Sequence, residues 1–201
     1  DDRLPLNPVL VQPVDKIGNY GGTWRMGMKS SRDHAIFIRH LAYENLLRWD
    51  AQWTKVIPNL AQKYSVNESF TEYTFTLRKG LKWSDGAPFD ADDILFWYED
   101  VFSNEELSPT QPNWLVVEGQ PVVVKKIDKH KVKFIFSAPY GLFPQVICKP
   151  FGSEITNYPK HYLKKFHKKY NHDIDELVKQ QGFESWVELF ISKNGPVGSI
   201  D

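Results

Sequence analysis

Residues 73–100 read YTFTLRKGLKWSDGAPFDADDILFWYED, and the rest of the chain can be placed from them. Tyr73, Phe75 and Leu77 alternate with Thr74, Thr76 and Arg78, the two-residue period of a strand with one buried face. Lys79-Gly80 breaks this strand, and Ser84-Asp85-Gly86 turns the chain, because Asp bonds its own backbone and Gly accepts positive φ. Asp90 stands where a helix N-cap belongs, with Asp92 and Asp93 in the first turn, where carboxylates complement exposed amides and the helix dipole. Ile94, Trp97, Tyr98 and Val101 then recur at three and four residues, giving that helix one large apolar face.

Upstream, Lys63–Val66 pairs with Tyr73–Leu77 as a hairpin, and Pro58–Ala61 is a short turn. The apolar positions between Ala35 and Leu47 fit a helix, Thr23–Met28 alternates as a strand, and residues 29–34 form the polar loop leaving it. Residues 1–19, with Pro5, Pro8 and Pro13, read as an extended surface segment. Downstream, residues 103–119 are too rich in Pro and Asn for regular structure, and they carry Trp114 as a large exposed candidate. Pro121–Ile127 and Lys131–Phe136 form a second hairpin. A short helix over 139–149, a longer one opened by Pro159 and a helical tail over 174–193 broken near Gly182 follow. Antiparallel hairpins separated by helices give an α+β chain.

Composition bounds the partners. Of 201 residues, 25 are basic and 25 acidic, so no global field favours nucleic acid or an anionic membrane, while 41% hydrophobic content suffices for a core. No apolar run reaches membrane-spanning length, and the first residues lack the pattern of a secretory signal. Cys148 is the one cysteine, so it has no internal disulfide partner.

The run LRKGLKWSDGAPFDADDI (77–94) closely resembles the signature of the extracellular solute-binding proteins, family 5, which serve oligopeptide-type ABC transporters. The resemblance continues through HLAYENLLRWD (40–50) and VIPNLAQKYSVN (56–67) before it, and VKKIDKHKVKFIFSAPYG (124–141) and YPKHYL (158–163) after it. It implies the N-terminal part of a two-lobed periplasmic-binding-protein fold, with a mixed-sheet lobe and an inserted smaller α+β lobe built on antiparallel hairpins. Residues 1–34 would hold the extended segment and the first strand of the main lobe, and residues 35–201 the smaller lobe with C-terminal helices. It also implies a non-catalytic receptor outside the cytoplasm, periplasmic or a cell-surface lipoprotein, that hands oligopeptides to ABC permease subunits. The implied partners include no nucleic acid, and no membrane except through a lipid anchor outside this chain. Oligosaccharides or other small solutes are the alternative ligands. A sensory or chaperone-like module on the same fold would share the cleft. Position by position, the loop before HLAYENLL, here Ser31, Arg32, Asp33 and His34, and the loop with Asn113 and Trp114 should border the ligand cleft.

Other constellations have plainer explanations. His161, His167 and His172 are spaced by six and five, which does not place them on one helical face, so they read as solvated surface residues and not as a metal site. Lys160, Lys164, Lys165, Lys168 and Lys169 read as the solvated face of a helix whose Tyr162, Phe166 and Tyr170 face the core. Asp90, Asp92 and Asp93 are accounted for by capping. A glycan hydrolase would need an acid and a base converging from separate segments, and the acidic residues here are better placed as caps and turn formers. No catalytic residue, metal site or cofactor is expected.

Overall fold

The computed structural model describes residues 4–23, 25–30, 33 and 44–194. Its centre is a four-stranded antiparallel sheet in the order β3-β4-β8-β7, with β3 Ala61–Val66, β4 Glu72–Leu77, β7 Val123–Asp128 and β8 Lys131–Ile135. Its two outer ladders are the hairpins expected from the sequence, and β4 against β8 closes them into one sheet, with Tyr73 opposite Phe134 and Phe75 opposite Val132. The alternation in β4 does what its period requires. Tyr73, Phe75 and Leu77 are buried with Val132 and Phe134 on one face, while on the other Lys133 reaches Glu72 at 2.7 Å. Asn67 shapes the β3–β4 loop, its Oδ1 accepting from the Thr71 and Glu72 amides.

The buried face is covered by aromatic rings and two helices. Phe143 opens α2 (Phe143–Val146) and meets Tyr73, Phe75, Phe134 and Phe136 at ring centroid distances of 4.8–6.2 Å. Helix α1 (Ala91–Phe96) starts as expected at Asp90, whose carboxylate accepts from the Asp92 amide at 2.8 Å; Asp93 returns the bond to the Asp90 amide at 3.0 Å. The other oxygen of Asp93 accepts from the Lys160 amide at 3.0 Å, pinning the start of α3 (Lys160–Leu163) to the start of α1.

Helix α1 widens into a π-helical turn over Trp97–Phe102. The wider turn places three consecutive residues under cover, Asp100, Val101 and Phe102, which a regular α-helical period would spread around the axis. Two further helices, α4 (Ile174–Gln181) and α5 (Trp186–Lys193), form the expected tail; Gly182, with φ +75°, ends α4 in the left-handed conformation. No helix among the described residues is long and apolar enough to cross a membrane.

Five sequence expectations are corrected. A short hairpin, β1 (Leu47–Trp49) with β2 (Val56–Pro58), occupies the place where the 35–47 helix was to end; the rest of that segment, from 35 to 43, lies outside the described residues. Residues 25–28 form no strand, since a strand needs a neighbour to take its backbone bonds and none pairs with them among the described residues. The helix opened by Pro159 is short, running through α3 and a 3₁₀ turn to Phe166. Leu163 and, just past its end, His167 are buried; of the expected stripe, Tyr162 and Phe166 pack half-buried against the core and Tyr170 is exposed. His167 is 1% exposed and no surface histidine, because α5 brings Trp186 and Phe190 over its ring.

Candidate functional site

Asn113 and Trp114 sit in a 3₁₀ turn over Asn113–Leu115 that is anchored from below. Leu115 is buried in the core, and its backbone accepts from the Val122 amide at 2.8 Å. A tight hairpin, β5 (Val116–Val117) with β6 (Gln120–Pro121), follows through Glu118 and Gly119, both at positive φ as a two-residue hairpin turn of matching twist requires. Asn113 is exposed. Trp114 is half-buried rather than fully displayed, its ring tilted at 40° against Phe151 with centroids 5.1 Å apart. The expectation of a freely exposed ring is corrected: the indole stands on a partner supplied 37 residues further along the chain.

That partner segment is tightly constrained. Gly152 follows Phe151 in a 3₁₀ turn over Pro150–Ile155, and a Cβ on Gly152 would lie 2.2 Å from the Ile147 carbonyl oxygen. Only a glycine admits this approach. Lys149 holds its ammonium 5.7 Å from the Phe151 ring centroid, and its carbonyl accepts from Asn45 Nδ2 at 2.8 Å.

Asn45 leads from this lip into a cavity of about 330 Å³ lined by Glu44, Asn45, Arg48, Trp49, Trp53 and Cys148 among others. Apart from Cys148, none of these residues carries an individual expectation from the sequence. Asp50 builds the β1–β2 loop beside it, its carboxylate accepting from the Thr54 amide and hydroxyl, each at 2.7 Å, and from the Lys55 amide at 3.2 Å. Those bonds, the Thr54 hydroxyl first, hold the Asp50 carboxyl below its ordinary range. The same turn holds Trp53 at φ +58°, exposed and stacked on Trp49 with centroids 6.3 Å apart. Burial pushes the Cys148 thiol up to about 12, so it is an inert wall and not a nucleophile.

In the loop expected to border the cleft, Asp33 is committed to its own turn: one carboxylate oxygen accepts from the Lys29 amide at 2.6 Å and the Ser30 amide at 3.0 Å. Ser31, Arg32 and His34 lie outside the described residues. Asp85 does meet a histidine, His161 Nε2 at 2.6 Å, which lowers the Asp85 carboxyl and ties the 84–86 turn to α3. Among the described residues no group of three His, Cys, Asp or Glu side chains is placed to hold a metal ion.

The family model for bacterial extracellular solute-binding proteins, family 5 (middle), matches residues 55–182. A solved oligopeptide-binding protein, OppA, superposes with a TM-score of 0.81 at 41% identity, covering 96% of this chain and 30% of that one. A periplasmic alpha-galactoside-binding protein of Rhizobium meliloti is 34% identical over 127 residues, 62% of this chain and 18% of its own length. A dipeptide-binding protein of Escherichia coli is 32% identical over 127 residues, covering 57% of this chain and 24% of its own. The chain therefore spans less than a third of the proteins it matches.

Proposed function

This chain belongs to the bacterial extracellular solute-binding proteins, family 5, and from that premise we propose that it takes part in capturing oligopeptides outside the cytoplasm for an ABC permease. The observation that carries the reading is the continuous lip from Trp114 over Phe151 and Lys149 to Asn45 and the cavity beyond it. An aromatic ledge beside a polar cavity suits a solute with both apolar and hydrogen-bonding groups. The oligopeptide-binding relative, which superposes over 96% of this chain, supports peptide as the solute class.

In this reading the chain is a binding component with no reaction of its own. Residues 1–34 would belong with a larger lobe and residues 35–201 with the smaller one. Ser31, Arg32, Asp33 and His34 would form one rim of the cleft, and Asn113 and Trp114 the other. Closure of two lobes on the solute would shift the population toward the closed form, since a buried ligand touches both. The place of action would be periplasmic or at the cell surface.

A second reading, capture of oligosaccharides, is favoured by the alpha-galactoside-binding relative and by the density of Trp at the cavity. A thermal-shift screen of the complete protein against di- to pentapeptides and raffinose-type sugars separates the two, because a ligand that binds the folded form raises its melting point. Shifts with peptides alone support the proposal. Shifts with sugars alone replace it with the second reading.

A further inference from the structure

A second cavity, of about 320 Å³, opens between the π-helical turn and the end of α5, with Val101, Leu107, Phe190 and Ile191 as its apolar wall. Against that wall stand a carboxylate and a phenol. Glu154 enters from the 3₁₀ turn over Pro150–Ile155, and Tyr158 from the stretch just after it. Both side chains are half-buried, and neither makes a hydrogen bond or ion pair with any described residue. The unpaired polar atoms that the fold seals away lie, among the described residues, on Asn45, Trp83, His130, Gln145 and Asn194. Glu154 and Tyr158 are not among them, so their oxygens can be reached through the cavity. Asn194 lines it too, but its unpaired amide oxygen is sealed and offers nothing to a ligand.

The fold supplies Glu154 with no counter-ion. The lysines of the neighbouring elements are engaged elsewhere: Lys168 with Glu106, Lys169 with Asp100, and Lys193 over the Phe166 and Phe183 rings. Burial accordingly raises the Glu154 carboxyl. Burial first, and the Glu154 charge second, push the Tyr158 hydroxyl up to about 12. An ionised carboxylate beside apolar side chains is costly unless a cation meets it. Carboxylate and phenol oxygens both accept, and a primary ammonium group carries three donors and no acceptor. A hard metal ion would need more oxygen ligands than this pair provides, and it would leave the apolar wall unused.

We propose that this cavity binds a small primary alkylammonium ion, its ammonium group donating to the Glu154 carboxylate and the Tyr158 hydroxyl and its alkyl stem lying along Val101, Leu107 and Ile191. The site goes beyond the solute-capture reading, since it uses neither the lip at Trp114 nor the cavity at Asn45. Its volume is at the lower end of small-molecule pockets, which suits a stem of a few carbons rather than a polymer.

The test is calorimetric titration of the complete protein with n-hexylammonium, n-hexanol, hexanoate and a tetrapeptide, in the wild type, Glu154→Gln and Tyr158→Phe. Hexylammonium should bind saturably, hexanol about tenfold more weakly or worse, and hexanoate not at all, because only the ammonium makes a charge-assisted bond. This comparison is made on the wild type and does not depend on a variant folding. Glu154→Gln should weaken hexylammonium about tenfold and Tyr158→Phe roughly threefold, a charged and a neutral hydrogen bond respectively. The melting point of Glu154→Gln should match or exceed that of the wild type, since the carboxylate has no partner to lose. Tetrapeptide affinity should not change in either variant. Absence of hexylammonium binding, hexanol binding as tightly as the amine, or undiminished amine affinity in Glu154→Gln would overturn the site. An equal loss of tetrapeptide and amine in Glu154→Gln would overturn it as a separate site and assign the cavity to solute capture. A protein that takes the amine and no tetrapeptide would remove the solute-capture reading and leave this site standing.

Discussion

His167 Nε2 lies 2.9 Å from the backbone carbonyl of Asp100, and His167 Nδ1 accepts from the Lys169 amide at 3.1 Å. The ring is therefore neutral, with its proton on Nε2, and a second proton would have to displace the Lys169 donor. Burial lowers the pKa of His167, outweighing the favourable Asp100 carbonyl and carboxylate. Around it stand Lys169 and the Asp100 carboxylate from one side, and Lys168 over the Trp186 ring from the other.

An acid-sensitive fold follows. The unfolded histidine takes up its proton near pH 6.5 and the folded one only at lower pH, so the stabilisation is complete above about 6.5 and is lost as pH falls through the lowered native value. Urea melts at pH 7.5 and 5.5 should differ by a loss of at most about 1.4 kcal/mol per pH unit from this group. His167→Gln should remove this component of the pH dependence; an equally steep fall in the variant would show that other groups cause it.

Two neighbouring lysines should behave differently. Lys169 reaches Asp100 Oδ1 at 2.5 Å, and that carboxylate is only 3% exposed, with Tyr170 as its other side-chain donor at 2.5 Å. Lys169→Ala leaves a buried charge short of a donor and should cost about 1.5–3 kcal/mol in denaturant melts. Lys168 pairs with Glu106 in solvent, and Lys168→Ala should cost less than about 1 kcal/mol. Equal costs would contradict this account of Asp100.

Gly152→Ala is a test of the lip. The new methyl would meet the Ile147 carbonyl at 2.2 Å, so the segment carrying Lys149 and Phe151 must shift, at a cost of about 1–3 kcal/mol. Near-UV circular dichroism should register the altered packing of Trp114 on Phe151. A variant as stable as wild type with an unchanged spectrum would mean that the turn is looser than described.

Asp90→Ala removes the side-chain half of the α1 capping box and should destabilise by about 1 kcal/mol. Asp93→Ala should cost more than Asp90→Ala, because it also frees the Lys160 amide that Asp93 Oδ1 holds at 3.0 Å. The reverse order, measured by thermal melts, would contradict the link between α1 and α3.

These residues also mark what could be read from the chain alone. The alternation of β4 and the Asp90 cap are local patterns, carried by residues within a few positions of one another, and both appear as read. The β1–β2 hairpin was hidden because each strand has three residues, too few to show a period, and Leu46 and Leu47 fit a helical stripe equally well. His167 owes its burial to Asp100, 67 residues earlier, and to Trp186 and Phe190 on a later helix. Trp114 likewise meets Phe151 from a separate segment. The cavity was missed for the same reason, since Cys148 and Asn45 converge only in three dimensions. Only the Trp49 and Trp53 pair flanking the Asp50 turn left a local signal.

The most direct test of the account is a calorimetric titration of the complete protein and its Trp114→Ala variant with a tetrapeptide. Peptide capture at this lip predicts saturable binding by the wild type and at least a tenfold, about 1.4 kcal/mol, loss in the variant with the melting point nearly unchanged. Absence of binding by the wild type, or the same affinity in both, would contradict it.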